Sequence, residues 1–195
     1  MFASLSAPPW EVTAFALSLA FYHVSEFAIA ATFNRATLSS ASWLVSKPYC
    51  LAMTAACVEY VLERALLPTL KGHTWVCIAG LVMAVLGDGL RKTAQITAAH
   101  NFTHQIVMRR RQEHRVVRCG VYRYARHPGY LGWLCWSVGT QVLLCNPVCI
   151  AGFAVTGWRF FRHRIPFEEA TLRAMFPGEY AEYASRTRTW IPGIR

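Results

Sequence analysis

Apolar residues gather into long blocks along this chain, and charge is concentrated in the intervals between them. Blocks cover roughly 12–33, 48–67 and 74–90, and a longer one opens at Tyr130 and closes near Phe161, interrupted by Asn146-Pro147. A bilayer core asks for about 20 apolar residues in helical form, so each of the first three blocks predicts a membrane helix. Asn-Pro is a turn signal. It divides the last block into two pieces of about 15 residues, which fit a tight helical hairpin that need not cross a whole bilayer. Pro48 stands where a helix start tolerates proline. The pattern predicts an all-α integral membrane protein with about five transmembrane helices. Its organisation reads as one domain over 1–195: a helical core at 12–90, a connector at 91–126, a helical hairpin at 130–161 and a C-terminal segment at 162–195.

Composition agrees with the blocks. Hydrophobic residues make up 54% of the chain and charged residues 15%, which argues against a water-soluble globule. The net charge of +10 is uneven, with Arg109, Arg110, Arg111, Arg115, Arg118, Arg123 and Arg126 in one short stretch. Nucleic acid is one partner for such a cluster, but its position between membrane-like blocks argues for no nucleic acid and for a juxtamembrane anchor instead. By the positive-inside rule the connector is cytosolic, and so is the basic C-terminal tail from Arg159. Counting back, the loop at Lys71 is lumenal and the loop with Arg35 and Lys47 cytosolic. No basic region precedes the first block, which carries Glu11, His23 and Glu26, so it reads as a retained helix and not a cleaved signal.

Several ionisable residues fall inside the blocks: His23 and Glu26, Glu59 and Glu63, and Asp88. Such groups face the protein interior or an interface, which predicts interhelix hydrogen bonding, with Glu63 reaching the lumenal interface beside Arg64. Helical spacing puts Cys145 and Cys149 on one face, but nothing completes a metal set, so the seven cysteines read as packing residues.

Two polar constellations flank the hairpin. In Arg126-His127-Pro128-Gly129-Tyr130, proline suits the first turn of a helix, whose free N–H groups suit an anion. Arg164 and Glu168 follow, four apart and on one face if that region is helical. One reading is a surface ion pair. The other divides the labour, with the Arg164 fork holding an anionic acceptor and Glu168 facing a cationic or hydroxyl-bearing cofactor. Glu169 points elsewhere on that helix. Phe21, Phe27, Trp133 and Trp136 are candidate walls for an apolar substrate.

Gly120-Val121-Tyr122, Arg126-His127-Pro128-Gly129-Tyr130, Gly132-Trp133, the run from Trp136 to Gln141 and Leu144-Cys145-Asn146-Pro147 together carry a family resemblance. So do Trp158-Arg159-Phe160-Phe161, Arg164-Ile165, Glu168-Glu169, Gly178-Glu179-Tyr180, the run from Phe21 to Phe27 and Asn101-Phe102-Thr103-His104. The chain resembles the isoprenylcysteine carboxyl methyltransferase family, in the short form of plants and algae. The resemblance implies a multi-pass enzyme of the endoplasmic reticulum membrane with a cytosolic C-terminus and cofactor pocket. It implies transfer of a methyl group from S-adenosylmethionine to the α-carboxylate of the C-terminal farnesyl- or geranylgeranyl-cysteine of a processed CaaX protein. It further implies cofactor contacts at His114, Arg115, Val116, Val117, Tyr122, His127, Pro128, Gly129, Tyr130 and Glu168, and a substrate-binding role for Arg164. Gly129 stands where many members have serine, and Val107 where animal members have a polar cofactor contact.

Other membrane enzymes remain in view. A phospholipid N-methyltransferase has an amine acceptor and no use for an arginine there. Sterol reductases share an Arg-His-Pro-x-Tyr element and use NADPH, but are much longer. A non-catalytic anchor leaves both polar constellations unexplained.

Overall fold

A computed structural model describes residues 8–35, 38–108, 112 and 114–194. Six α-helices follow one another: α1 (Trp10–Phe33), α2 (Lys47–Leu66), α3 (Thr74–Ala98), α4 (Pro128–Leu143), α5 (Pro147–Met175) and α6 (Glu179–Arg186). No β-strand occurs among the described residues, and one isolated bridge joins Ala125 to Arg188. The helices over Trp10–Phe33 and Thr74–Asn101 are long and apolar enough to cross a membrane by length and composition.

Local chemistry explains most helix ends. Ser46 accepts a hydrogen bond from the Tyr49 N–H at the start of α2, with Pro48 in its first turn. Pro128 and Pro147 open α4 and α5, where a missing N–H costs nothing. The apolar block that closes near Phe161 does not mark a helix end. Helix α5 continues through Arg164, Pro166, Glu168 and Glu169 to Met175, so the division expected between hairpin and C-terminal segment is a change of polarity within one helix. Likewise α3 runs past Leu90 to Ala98.

The backbones of α3 and α4 approach through glycine. A Cβ added at Gly80 would lie 2.1 Å from the Leu143 nitrogen, one at Gly87 2.4 Å from the Trp136 nitrogen, and one at Gly139 2.6 Å from the Ala84 nitrogen. Small residues permit such contact in lipid, where packing rather than the hydrophobic effect drives helix association.

Polar groups lock the end at which α4 turns into α5. Lys71 is buried and donates to Glu63 at 2.7 Å, to the Leu144 and Cys145 carbonyls at 2.9 and 2.8 Å, and to Asn146 Oδ1 at 2.8 Å. It therefore satisfies carbonyls that the end of α4 leaves without helical partners, and Glu63 is its counter-ion. Glu59, one turn earlier, accepts from the Val148 and Cys149 N–H groups, both at 2.7 Å, as an acidic cap on α5. Cys145 and Cys149 share no helix face, because Cys145 sits in the turn with φ of 51°. Its sulfur meets that of Cys77 at 3.7 Å.

Gly80→Ala is expected to force α3 and α4 apart and lower the thermal midpoint in detergent, whereas Gly152→Ala, which would meet nothing within 4 Å, leaves it unchanged or raised. Lys71→Met strands the partly exposed Glu63 carboxylate and the buried Asn146 amide oxygen and is expected to cost about 1–3 kcal/mol, read by the same melt.

Candidate active site

The connector and the polar half of α5 meet at the end of the bundle opposite Lys71. Their junction rests on Glu169, for which the sequence suggested no role. Its carboxylate accepts from Arg126 Nε at 2.8 Å and Arg173 Nη2 at 3.2 Å, and its Oε1 lies 3.1 Å from His127 Nε2. Burial works against the charged form, but the hydrogen bonds from His127 and Arg126 outweigh it and hold the carboxyl down at about 2. With Glu169 ionised, the contact to His127 is a hydrogen bond only when Nε2 carries a proton. Arg126 also donates to the Ala184 and Thr187 carbonyls, tying α4's entry to the C-terminal tail. That tail returns along the bundle. The Arg126 N–H donates to the Arg188 carbonyl at 2.9 Å, Trp158 donates to the Pro192 carbonyl at 2.7 Å, and Ile191 and Ile194 pack with Phe161 and Ile165.

One cleft opens between this junction, the end of α3 and α6. Arg115, Val116, Val117, Tyr122, His127, Gly129, Tyr130 and Glu168 all line it. Of the other expected cofactor residues, His114 lines an adjoining cleft beside Arg115, Glu168 and Leu172, and Pro128 is buried in the first turn of α4. Tyr180 and Tyr183 from α6 complete the wall, and Tyr183 donates to the Tyr122 carbonyl at 2.7 Å. Burial raises the Tyr122 phenol above its ordinary range, so it stays protonated. The Tyr180 hydroxyl is buried with no hydrogen-bond partner among the described residues. Gly129 matters here, because a Cβ at that position would lie 2.8 Å from the Phe102 ring.

A second cleft of about 200 Å³ lies on the other side of Tyr130 and is lined by Tyr22, Arg91, Trp133, Phe160, Phe161 and Arg164 among others. Phe102, Thr103 and Tyr130 belong to both clefts. Arg164 donates through Nε to the Tyr130 hydroxyl at 2.8 Å and through Nη2 to the His104 carbonyl at 2.7 Å. Tyr130 in turn donates to Glu168. Arg164 and Glu168 therefore meet through a phenol rather than as a surface ion pair. A guanidinium has five N–H groups, and these two bonds leave others for an anion. Of the four aromatic residues expected as walls, Trp133 alone lines this cleft. Phe21 is exposed, Phe27 stacks on Trp43 with ring centroids 4.4 Å apart, and Trp136 is buried against Tyr22 at 3.8 Å.

Arg91 is the main residue missed in the sequence. It chelates the fully buried Glu26, with Nε–Oε1 at 2.7 Å and Nη2–Oε2 at 2.9 Å, and donates to the Gly129 carbonyl at 3.1 Å. Lys92, Gln95 and His104 also contact the Glu26 carboxylate, at 2.5, 2.8 and 2.9 Å. The signal was available, since a carboxylate inside an apolar helix demands a cation, and Arg91 and Lys92 are the basic residues at the C-terminal end of the third block.

A family model described as the isoprenylcysteine carboxyl methyltransferase (ICMT) family matches residues 80–174. Protein-S-isoprenylcysteine O-methyltransferase B of Arabidopsis thaliana is 46% identical over 185 residues, covering 94% of each chain. The chain belongs to the isoprenylcysteine carboxyl methyltransferase family. The Homo sapiens protein-S-isoprenylcysteine O-methyltransferase is 43% identical over 91% of this chain and 63% of its own length. A solved structure titled as the eukaryotic intramembrane Ras methyltransferase ICMT superposes with a TM-score of 0.93 at 36% identity, covering 97% of this chain and 70% of that one. This family member is therefore an all-helical membrane protein, and the two clefts lie within a fold shared with an intramembrane methyltransferase.

Tyr130→Phe keeps the ring stacked on His127 and Phe161 but disconnects Arg164 from Glu168. Hydrogen bonds to charged groups are worth about 1.5–3 kcal/mol, so methyl transfer is expected to fall by about tenfold to a hundredfold with the melting temperature nearly unchanged. Unaltered turnover would remove the bridge from the site.

Proposed function

We propose that this chain methylates the C-terminal α-carboxylate of an S-prenylated cysteine, with S-adenosylmethionine as donor, on proteins processed at a CaaX terminus. The observation that carries this reading is the meeting of two clefts at Tyr130, one walled by aromatic rings with a guanidinium at its mouth, the other lined by a carboxylate and phenols. Near-identity of purpose among relatives that match almost end to end supports it.

The residues of the first cleft fit the donor. Glu168 suits its ammonium or its ribose hydroxyls, and the unpartnered Tyr180 hydroxyl offers a buried polar contact. When bound, S-adenosylmethionine supplies an electrophilic methyl group on a sulfonium. Arg164 receives the acceptor carboxylate on the other side of Tyr130 and fixes its direction of approach. A terminal carboxylate has a pKa of roughly 3.5 and is ionised at neutral pH, so no side chain need act as a base. Reaction cancels opposite charges, and water favours the separated ions. Trp133, Phe160 and Phe161 exclude water from the acceptor side, and α6 walls the donor side through Tyr180 and Tyr183. The same aromatic residues offer the prenyl chain a path from lipid, where each buried CH₂ is worth roughly 0.8 kcal/mol. An amine acceptor, as in a phospholipid N-methyltransferase, would be repelled by Arg164 and Arg91. The reading includes residence in the endoplasmic reticulum membrane, with about five spans and both clefts at the cytosolic end, supported by the basic connector beside them.

The test is transfer of tritiated methyl from S-adenosylmethionine to N-acetyl-S-farnesylcysteine, with phosphatidylethanolamine and a sterol as controls. Arg164→Ala is expected to lose nearly all turnover while calorimetry still detects cofactor binding. Glu168→Ala is expected to weaken cofactor binding itself by about tenfold or more, as for a lost charged hydrogen bond. Turnover preserved in Arg164→Ala, or methylation of the phospholipid instead, would overturn the assignment.

A further inference from the structure

A third cavity, of about 770 Å³, lies beside the acceptor cleft at the ends of α1 and α3, under the 103–108 stretch of the connector. It shares Leu44, Phe102, Thr103 and His104 with the acceptor cleft, so the two spaces adjoin along those residues. We propose that this cavity receives the polypeptide immediately upstream of the prenylated cysteine. The proposal rests on the function proposed above and deepens it, because it names the part of the substrate that the two clefts leave unhoused.

A prenylated terminal cysteine presents three groups, and each needs its own direction. The carboxylate goes to Arg164 at Tyr130. The thioether carries its lipid along Trp133, Phe160 and Phe161. The amide nitrogen, with the chain behind it, must leave by a third route, and the cavity that adjoins the acceptor cleft at Thr103 and His104 lies in one such direction.

The chemistry of the walls fits a peptide better than the other occupants of such a space. Asn34, Ser39, Ser42, Gln95, Thr103 and Gln105 are interleaved with Ile29, Ala30, Leu44 and Ile106. Neutral amides and hydroxyls match peptide N–H and C=O groups. Among the described lining residues there is no Lys, Arg, Asp or Glu, so the described wall presents neutral partners rather than a charged one. An alkyl chain would leave the polar wall unpaired.

The experiment compares two methyl acceptors on the full chain in detergent or nanodiscs: N-acetyl-S-farnesylcysteine, and a farnesylated hexapeptide ending in the same cysteine with a free carboxylate. Ala41→Trp fills the cavity from an exposed position, and Ile29→Trp fills it from α1. Both are expected to lower kcat/KM for the hexapeptide by about tenfold, the size of a modest change in pocket fit, while the short acceptor stays within about twofold. A hexapeptide carrying benzophenone at its N-terminal residue is expected to crosslink to residues 29–44 or 103–108, as mapped by mass spectrometry. Equal loss on both acceptors would make the cavity part of the lipid path, and no loss on either would make it irrelevant to the acceptor. Either result, or crosslinks confined to other segments, overturns the proposal. The functional reading fails separately, if the unmodified protein methylates neither acceptor.

Discussion

A carboxylate buried at the junction of three segments organises the reactive end of this protein. Glu26 has no exposed side-chain surface, and its charge is met by Arg91, Lys92, Gln95 and His104. Removing two charges from water costs several kcal/mol per ion before any attraction is counted, so the cluster is better understood as a geometric specification than as a store of stability. It joins α1 to α3 and both to the connector. From it, Arg91 reaches the Gly129 carbonyl at the entry to α4, and the His104 carbonyl accepts from Arg164 on α5. Every helix that lines the cleft at Arg164 is thereby referred to one point.

The opposite end is built on the same logic with the signs exchanged. There a buried ammonium, Lys71, gathers the carbonyls that end α4, and carboxylates on α2 serve as its counter-ion and as the cap of α5. Between the two ends, glycines let α3 and α4 touch backbone to backbone. A bundle pinned by charge at each end and by close contact along its length resists shear, which suits a site whose two clefts share a single tyrosine. Arg164 and Glu168 stay in register because both are bonded to Tyr130.

Much of the site was legible before any coordinates. The spacing of Arg164 and Glu168 placed both on one helix face, and the family motifs marked the connector strip that lines the cleft beside α6. The reading fell short where a polar residue answered a partner far away in sequence. Lys71 read only as part of a loop between two blocks, because nothing local indicates that it folds onto carbonyls more than seventy positions later. Glu169 had no role until Arg126 and His127 were seen beside it. Phe21 and Phe27 were drawn as substrate walls from aromatic character alone, and their helix simply turns those faces elsewhere.

Apolar block length, proline placement and the Asn146-Pro147 turn determined the first five helices and their order but not α6, since those properties act within a few residues of one another. The end of α5 escaped the same reasoning, because a helix continues as long as its backbone hydrogen bonds do, whether or not its side chains remain apolar. The tertiary structure alone decided which charges face each other, that a phenol stands between arginine and glutamate, and that a third cavity adjoins the acceptor cleft. Those outcomes depend on the rotation of each helix about its axis, which is set by packing against its neighbours and written in no single segment.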